Sequence, residues 1–178
     1  FAQHGVRGAG FLERVHQEHA VEHSVHERQA RVVGERREPR RLGGPRFNPL
    51  LGGIYHAPFG KVADLDWFDE VLFDRLVPAN EVAAVVIEPI QGEGGYIVPE
   101  DGFLQGLREL CTKHGILLIA DEIQSGAGRT GRMWAIEHWD VEPDILLTAK
   151  GIASGMPISA MVAPAKVMEH WGIGAHGS

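Results

Sequence analysis

Apolar residues in this 178-residue chain fall into two rhythms. Short unbroken runs, "VAAVVIEP" at 82–89, "ILLIADE" at 116–122 and "DILLTA" at 144–149, predict buried strands, because a strand covered on both faces shows no alternation. "ISAMVAP" at 158–164 predicts a fourth strand, with a short helix starting at Ala165. Between the first two runs, "EDGFLQGLRELCTKHG" at 100–115 spaces Phe103, Leu104, Leu107, Leu110 and Cys111 by three and four residues. That is the stripe of an amphipathic helix, and Gly115 stands where its C-terminal cap belongs. From about Phe47, strands and helices alternate, which predicts an α/β fold with a mostly parallel sheet and helices on both faces. No internal repeat is visible. Ligands of such sheets bind beyond the carboxyl ends of the strands. Here those ends carry Glu88, Asp121 and Lys150.

Composition divides the chain in two. Residues 1–50 hold nine arginines and no lysine, six glutamates and no aspartate, and five of the ten histidines. Ile, Thr, Tyr, Trp, Met and Cys are missing from them, an unusual set of gaps for a segment that feeds a core. We therefore divide the chain into an atypical Arg/His-rich segment, 1–46, and a domain, 47–178, that carries the α/β pattern. The formal net charge of −7 argues against a nucleic-acid partner. Cys111 is the single cysteine, which rules out an internal disulfide and makes a packed core residue the expectation. No apolar run approaches the roughly 20 residues of a membrane span, and the first residues lack a signal-peptide pattern, so a cytoplasmic setting without a membrane partner is expected.

The chemistry centres on "PDILLTAKGIASGMP", residues 143–157, where Lys150 follows a strand and stands among small residues. Partial burial of such an amine would favour its neutral, nucleophilic form and suit it to Schiff-base formation. Taken alone, Lys150 reads more readily as a solvated loop cation. Asp121 changes the balance. Pyridoxal 5'-phosphate needs a lysine for its aldehyde and a carboxylate for its pyridine nitrogen, and two successive strands would bring these groups to one edge of the sheet. Gln124 lies within reach of the ring's phenolic oxygen in that arrangement. The plainer reading of Asp121 is a turn cap.

"LLIADEIQSGAGRTGRMWA", "PDILLTAKGIASGMPISA" and "IEPIQGEGGYIVP" resemble the signature stretches of the class III pyridoxal-phosphate aminotransferases, the group of 4-aminobutyrate, ornithine and acetylornithine aminotransferases. The resemblance runs from about Phe47 to Ser178. It implies part of the large domain of a fold-type I transferase that exchanges an amino group between an amino acid and a 2-oxo acid. It also implies that Lys150 holds the cofactor's aldehyde and moves the substrate proton, Asp121 holds the pyridinium, Gln124 contacts the phenolate oxygen and Ile123 packs on a ring face. Glu93, in "QGEGG", matches the family glutamate that gates the substrate site by pairing with an arginine, and Glu88 would stand behind it at the cleft. Family active sites form between two subunits, which implies a homodimer. "EPIQGEGGYIVP" with "GRMWAIEH" leans toward 4-aminobutyrate-like or other omega-amino donors. Amino-acid racemases share the family.

Several alternatives stand beside this reading. "GAGRTG" at 126–131 fits G-x-G-x-x-G and could mark a dinucleotide-binding oxidoreductase, although Asp121 to Ser125 separate it from the strand and Lys150 goes unused. His16, His19, His23 and His26 would share one helix face and could hold a metal, a weaker reading than none. The chain could also be an inactive fragment. The family's glycine-rich phosphate loop is not legible in residues 1–46, and the threonine and arginine that complete its site lie past the position of Ser178. Back-translation of Gln3 to Gly8, shifted by one base, permits Asn-Thr-Gly-Ser-Glu-Ala, which resembles that loop. Residues 3 to about 46 are accordingly expected to be an out-of-frame reading, with an arginine-rich helix from about Gly10 to Val33 as the competing expectation.

Overall fold

A computed structural model describes residues 32–35 and 53–172. One sheet of six strands runs through them in the order β2-β1-β3-β4-β5-β6. The strands are β1 Val32–Glu35, β2 Ile54–Ala57, β3 Ala84–Ile87, β4 Leu117–Asp121, β5 Ile145–Thr148 and β6 Ala160–Val162. β1 to β5 are mutually parallel, and β6 pairs antiparallel with β5. The expected mostly parallel α/β sheet is present, and the three apolar runs form its centre. β6 departs from the expectation: it is antiparallel, and its three residues are exposed. The tight turns at Lys150–Ala153 and after it return the chain directly alongside β5, too short a path for the crossover that a parallel neighbour requires.

Register explains why the centre is dry. Val85 pairs with Leu118 and Ile87 with Ala120, and partners in a parallel ladder point to the same face. On that face they meet Phe68 and Leu72 of a wide π-type helix, Phe68–Leu76, and Phe103, Leu104, Leu107 and Cys111 of helix α1, Phe103–His114. Ile136 and Trp139 close the same cluster. The opposite face of β4 is only half covered, at Leu117, Ile119 and Asp121, so this strand is less evenly buried than its apolar run suggests. A short helix α2, Ala165–Met168, follows β6 as expected.

Helix α1 ends at Gly115, whose φ of +65° lets its N–H reach back to the carbonyls of Cys111 and Thr112. Cys111 is fully buried on this helix, and burial pushes its thiol up to about 12, with Arg108 lowering it and Asp144 raising it by smaller amounts. Arg108 Nη1 donates to Asp144 Oδ2 at 2.7 Å, and the same oxygen accepts the Leu118 N–H at 2.7 Å. One carboxylate thus ties α1, the start of β4 and the turn into β5 together.

Of the Arg/His-rich segment only β1 is described, and it pairs with both β2 and β3. The competing helix from Gly10 to Val33 ends inside this strand, at Val32 and Val33, and its remainder lies outside the described residues. The four histidines proposed for a metal lie outside them as well.

Candidate active site

The carboxyl ends of β3, β4 and β5 open onto one edge of the sheet. Glu88 follows β3, Asp121 closes β4 and Lys150 follows β5 by two residues. In the ladder Asp121 stands opposite Leu147, three residues before Lys150, so the carboxylate and the amine-bearing turn leave neighbouring strands at the same edge.

At this edge Lys150 Nζ donates to Gln124 Oε1 at 2.6 Å. The contact joins the turn after β5 to the turn after β4 across 26 positions of sequence. Lys150 takes a φ of +45°, the left-handed region that an L-residue enters only at a cost, and Ser154 in the same turn takes +48°. Small residues permit the approach of the two loops: a side chain at Gly151 would stand 3.2 Å from the Ala127 Cβ. The expected partial burial of Lys150 is not found. Lys150 is exposed, and its amine reaches only as far as the Gln124 amide at the surface of the described residues.

Asp121 Oδ1 accepts the N–H of Ile123 at 3.0 Å, so the turn-capping reading and a ligand-facing carboxylate are both compatible with its place. Ile123 is half-buried beside it. Glu88 Oε2 accepts the Gly92 N–H at 2.7 Å and anchors a narrow loop whose base is a pair of backbone hydrogen bonds between Gln91 and Ile97. Glu93 sits exposed in that loop, next to the anchored Gly92. The loop also approaches the Lys150 contact: a Cβ on Gly92 would lie 2.6 Å from Gln124 Cδ, so a side chain there would displace the amide.

"GAGRTG" forms turns after β4 and does not open a helix as a dinucleotide loop would, since the 3-10 turn that follows begins only at Ala135. Sequence reading assigned nothing to Glu122, which is fully buried and bonded on both carboxyl oxygens. The signal available was its spacing from Ser125, three residues on, the reach of a side chain across one turn.

Amine, amide and carboxylate side chains at one edge of the sheet are the kind of donor set that pyridoxal phosphate uses. The class-III aminotransferase family matches residues 46–178. The chain belongs to this family. It is 46% identical over 132 residues to the acetylornithine aminotransferase of Methanopyrus kandleri, covering 74% of this chain and 32% of that protein. It is 40% identical over 159 residues to acetylornithine aminotransferase 1 of Pseudomonas syringae pv. tomato, covering 89% and 36%. Among solved structures, the ornithine aminotransferase of Toxoplasma gondii, described with partial occupancy of PLP at its active site, superposes with a TM-score of 0.70 at 38% identity, over 84% of this chain and 36% of that one. The chain thus spans about a third of the length of the relatives it matches. Class III aminotransferases are pyridoxal-phosphate enzymes of fold type I, and the mostly parallel sheet described above is part of that fold.

Proposed function

We propose that these residues form the cofactor edge of an enzyme that transfers an amino group between an amino acid and a 2-oxo acid. The observation that carries this reading is the 2.6 Å contact of Lys150 Nζ with Gln124 Oε1 at the sheet edge where Asp121 ends the adjacent strand. Pyridoxal phosphate, when bound, supplies an aldehyde that captures amino groups and a ring that takes up the electron pair released at the substrate carbon. Lys150 would hold the aldehyde through Nζ and, once displaced by the substrate amine, use the same nitrogen to carry the proton away from the α-carbon. Gln124 would hold the ring's phenolic oxygen, Ile123 would cover a ring face, and Asp121 would hold the pyridine nitrogen protonated. Glu93 would gate the substrate site, kept in place by the hydrogen bond from Gly92 to Glu88.

For the amino donor, the named relatives favour ornithine and its acylated derivatives. The stretches "EPIQGEGGYIVP" and "GRMWAIEH" support a 4-aminobutyrate-like donor as the second reading. A homodimer would complete the site from its second subunit. The test is the half-reaction: the chain is loaded with pyridoxal phosphate and offered N-acetylornithine, ornithine or 4-aminobutyrate, and pyridoxamine phosphate is quantified by chromatography. Formation with one donor supports transamination and ranks the substrates. Racemisation of an amino acid without pyridoxamine phosphate would favour the racemase branch, and no reaction with a fully loaded cofactor would remove the proposal for this chain.

A further inference from the structure

Glu122 offers four polar atoms from a fully buried position, and all four are engaged. Its N–H donates to the Leu147 carbonyl at 2.9 Å, which fastens it to β5. Its own carbonyl accepts the Gly126 N–H at 2.9 Å and closes the turn 122–126. Its Oε2 accepts from Ser125 Oγ at 2.6 Å, and its Oε1 accepts the Ile136 N–H at 2.8 Å. Among the described residues no cation pairs with this carboxyl group, and burying it is costly unless such bonds compensate it. The turn it closes carries Gln124 between Glu122 and Ser125, and it packs so tightly that a Cβ on Gly126 would lie 2.6 Å from the Glu122 carbonyl oxygen. On the far side Gly92, fixed by Glu88, limits the Gln124 side chain.

We infer that Glu122 is a positioning residue: by holding the 122–126 turn between β5 and Ile136, it aims the Gln124 amide at the Lys150 amine. The catalytic meaning of this role rests on the cofactor reading above, whereas the positioning itself is a property of the chain alone. Glu122→Gln can keep both bonds, because an amide oxygen accepts from Ile136 N–H while its NH2 donates to a Ser125 hydroxyl turned to accept. Glu122→Leu fills the space and can keep neither.

All four lysines of the chain, Lys61, Lys113, Lys150 and Lys166, can be reductively methylated with 13C and followed separately by NMR. Gln124→Ala supplies the reference position of a Lys150 signal that has lost its partner. Glu122→Leu is expected to shift the Lys150 signal toward that reference, leave the other three in place, and abolish the slow hydrogen exchange of the Ile136 amide. Glu122→Gln is expected to restore the wild-type Lys150 position. If Glu122→Leu does not fold, which all four signals would report together, Ser125→Ala removes only one of the bonds and is expected to give a smaller shift in the same direction. A Lys150 signal that stays put in a folded Glu122→Leu or Ser125→Ala chain overturns the inference. A wild-type chain that takes up no pyridoxal phosphate would count against the cofactor reading without touching this result.

Discussion

The face of the sheet under α1 and the edge where Lys150 stands are made by opposite means. Under α1 the contacts are apolar and periodic: Val85, Leu118 and Ala120 meet Leu104, Leu107 and Phe68, and each is almost wholly buried. At the edge the organising contacts are polar, local and strained: left-handed Lys150 and Ser154, the Asp121 turn, the Glu88 anchor and the fully bonded Glu122. Burial of apolar area sets the first region wherever the pattern repeats. The second depends on single atoms, so one substitution there should change geometry more than stability.

The largest loss of stability should accordingly come from the apolar face. Leu104→Ala empties a fully buried position on α1 and should cost about 2–5 kcal/mol, seen as a lower urea midpoint. A mutant within about 0.5 kcal/mol of wild type would mean that the helix is not packed as described. Asp144→Ala lies between the two regions. It removes the acceptor of both Arg108 and Leu118 N–H, and the charge-assisted bond lost should cost about 1.5–3 kcal/mol, discounted because the pair is partly exposed to solvent.

Gly92→Ala sharpens the contrast from the other side. The new Cβ must push the Gln124 amide away, and because that side chain is flexible the loss of stability should be near the lower end for overpacking, about 1 kcal/mol. Cofactor retention should fall much more than stability does, measured as bound pyridoxal phosphate after gel filtration. Equal losses of both would erase the distinction between the regions.

At neutral pH Cys111 contributes no pH dependence, and its effect appears only in alkali. Burial keeps its thiol protonated, with the folded value near 12 against an ordinary 9.0. The neutral thiol's contribution is complete below pH 9 and is lost as the pH rises toward 12, because the unfolded chain ionises first. Alkylation by iodoacetamide at pH 8 should be slow in the folded chain and fast in urea. Rapid alkylation without denaturant would show that α1 does not cover the sulfur.

The same contrast explains what was legible in the sequence. β3, β4, β5 and α1 follow from periodicity, since their apolar spacing is dictated by the face they bury. Gly115 follows from the same logic at the helix end. "GIYHAP" gave no such signal for β2, and "FDEVLFDRL" interleaves acidic and apolar residues in a way that hid the π-type helix. The direction of β6 is set by the length of the turn before it and not by its own composition. At the site, Lys150, Asp121 and Gln124 stood out as polar residues following apolar runs, and the structure brings Lys150 and Gln124 together. Glu122 was hidden because a second acidic residue beside Asp121 reads as more of the same cap. Its burial is a tertiary fact, set by Ile136 fourteen residues away.

Borohydride reduction of the chain in the presence of pyridoxal phosphate, followed by peptide mapping, tests the central claim most directly. A single pyridoxyl group on Lys150, lost in Lys150→Ala and weakened in Asp121→Ala, is the predicted result. Equal labelling of Lys61, Lys113 and Lys166, or none at Lys150, would contradict the account.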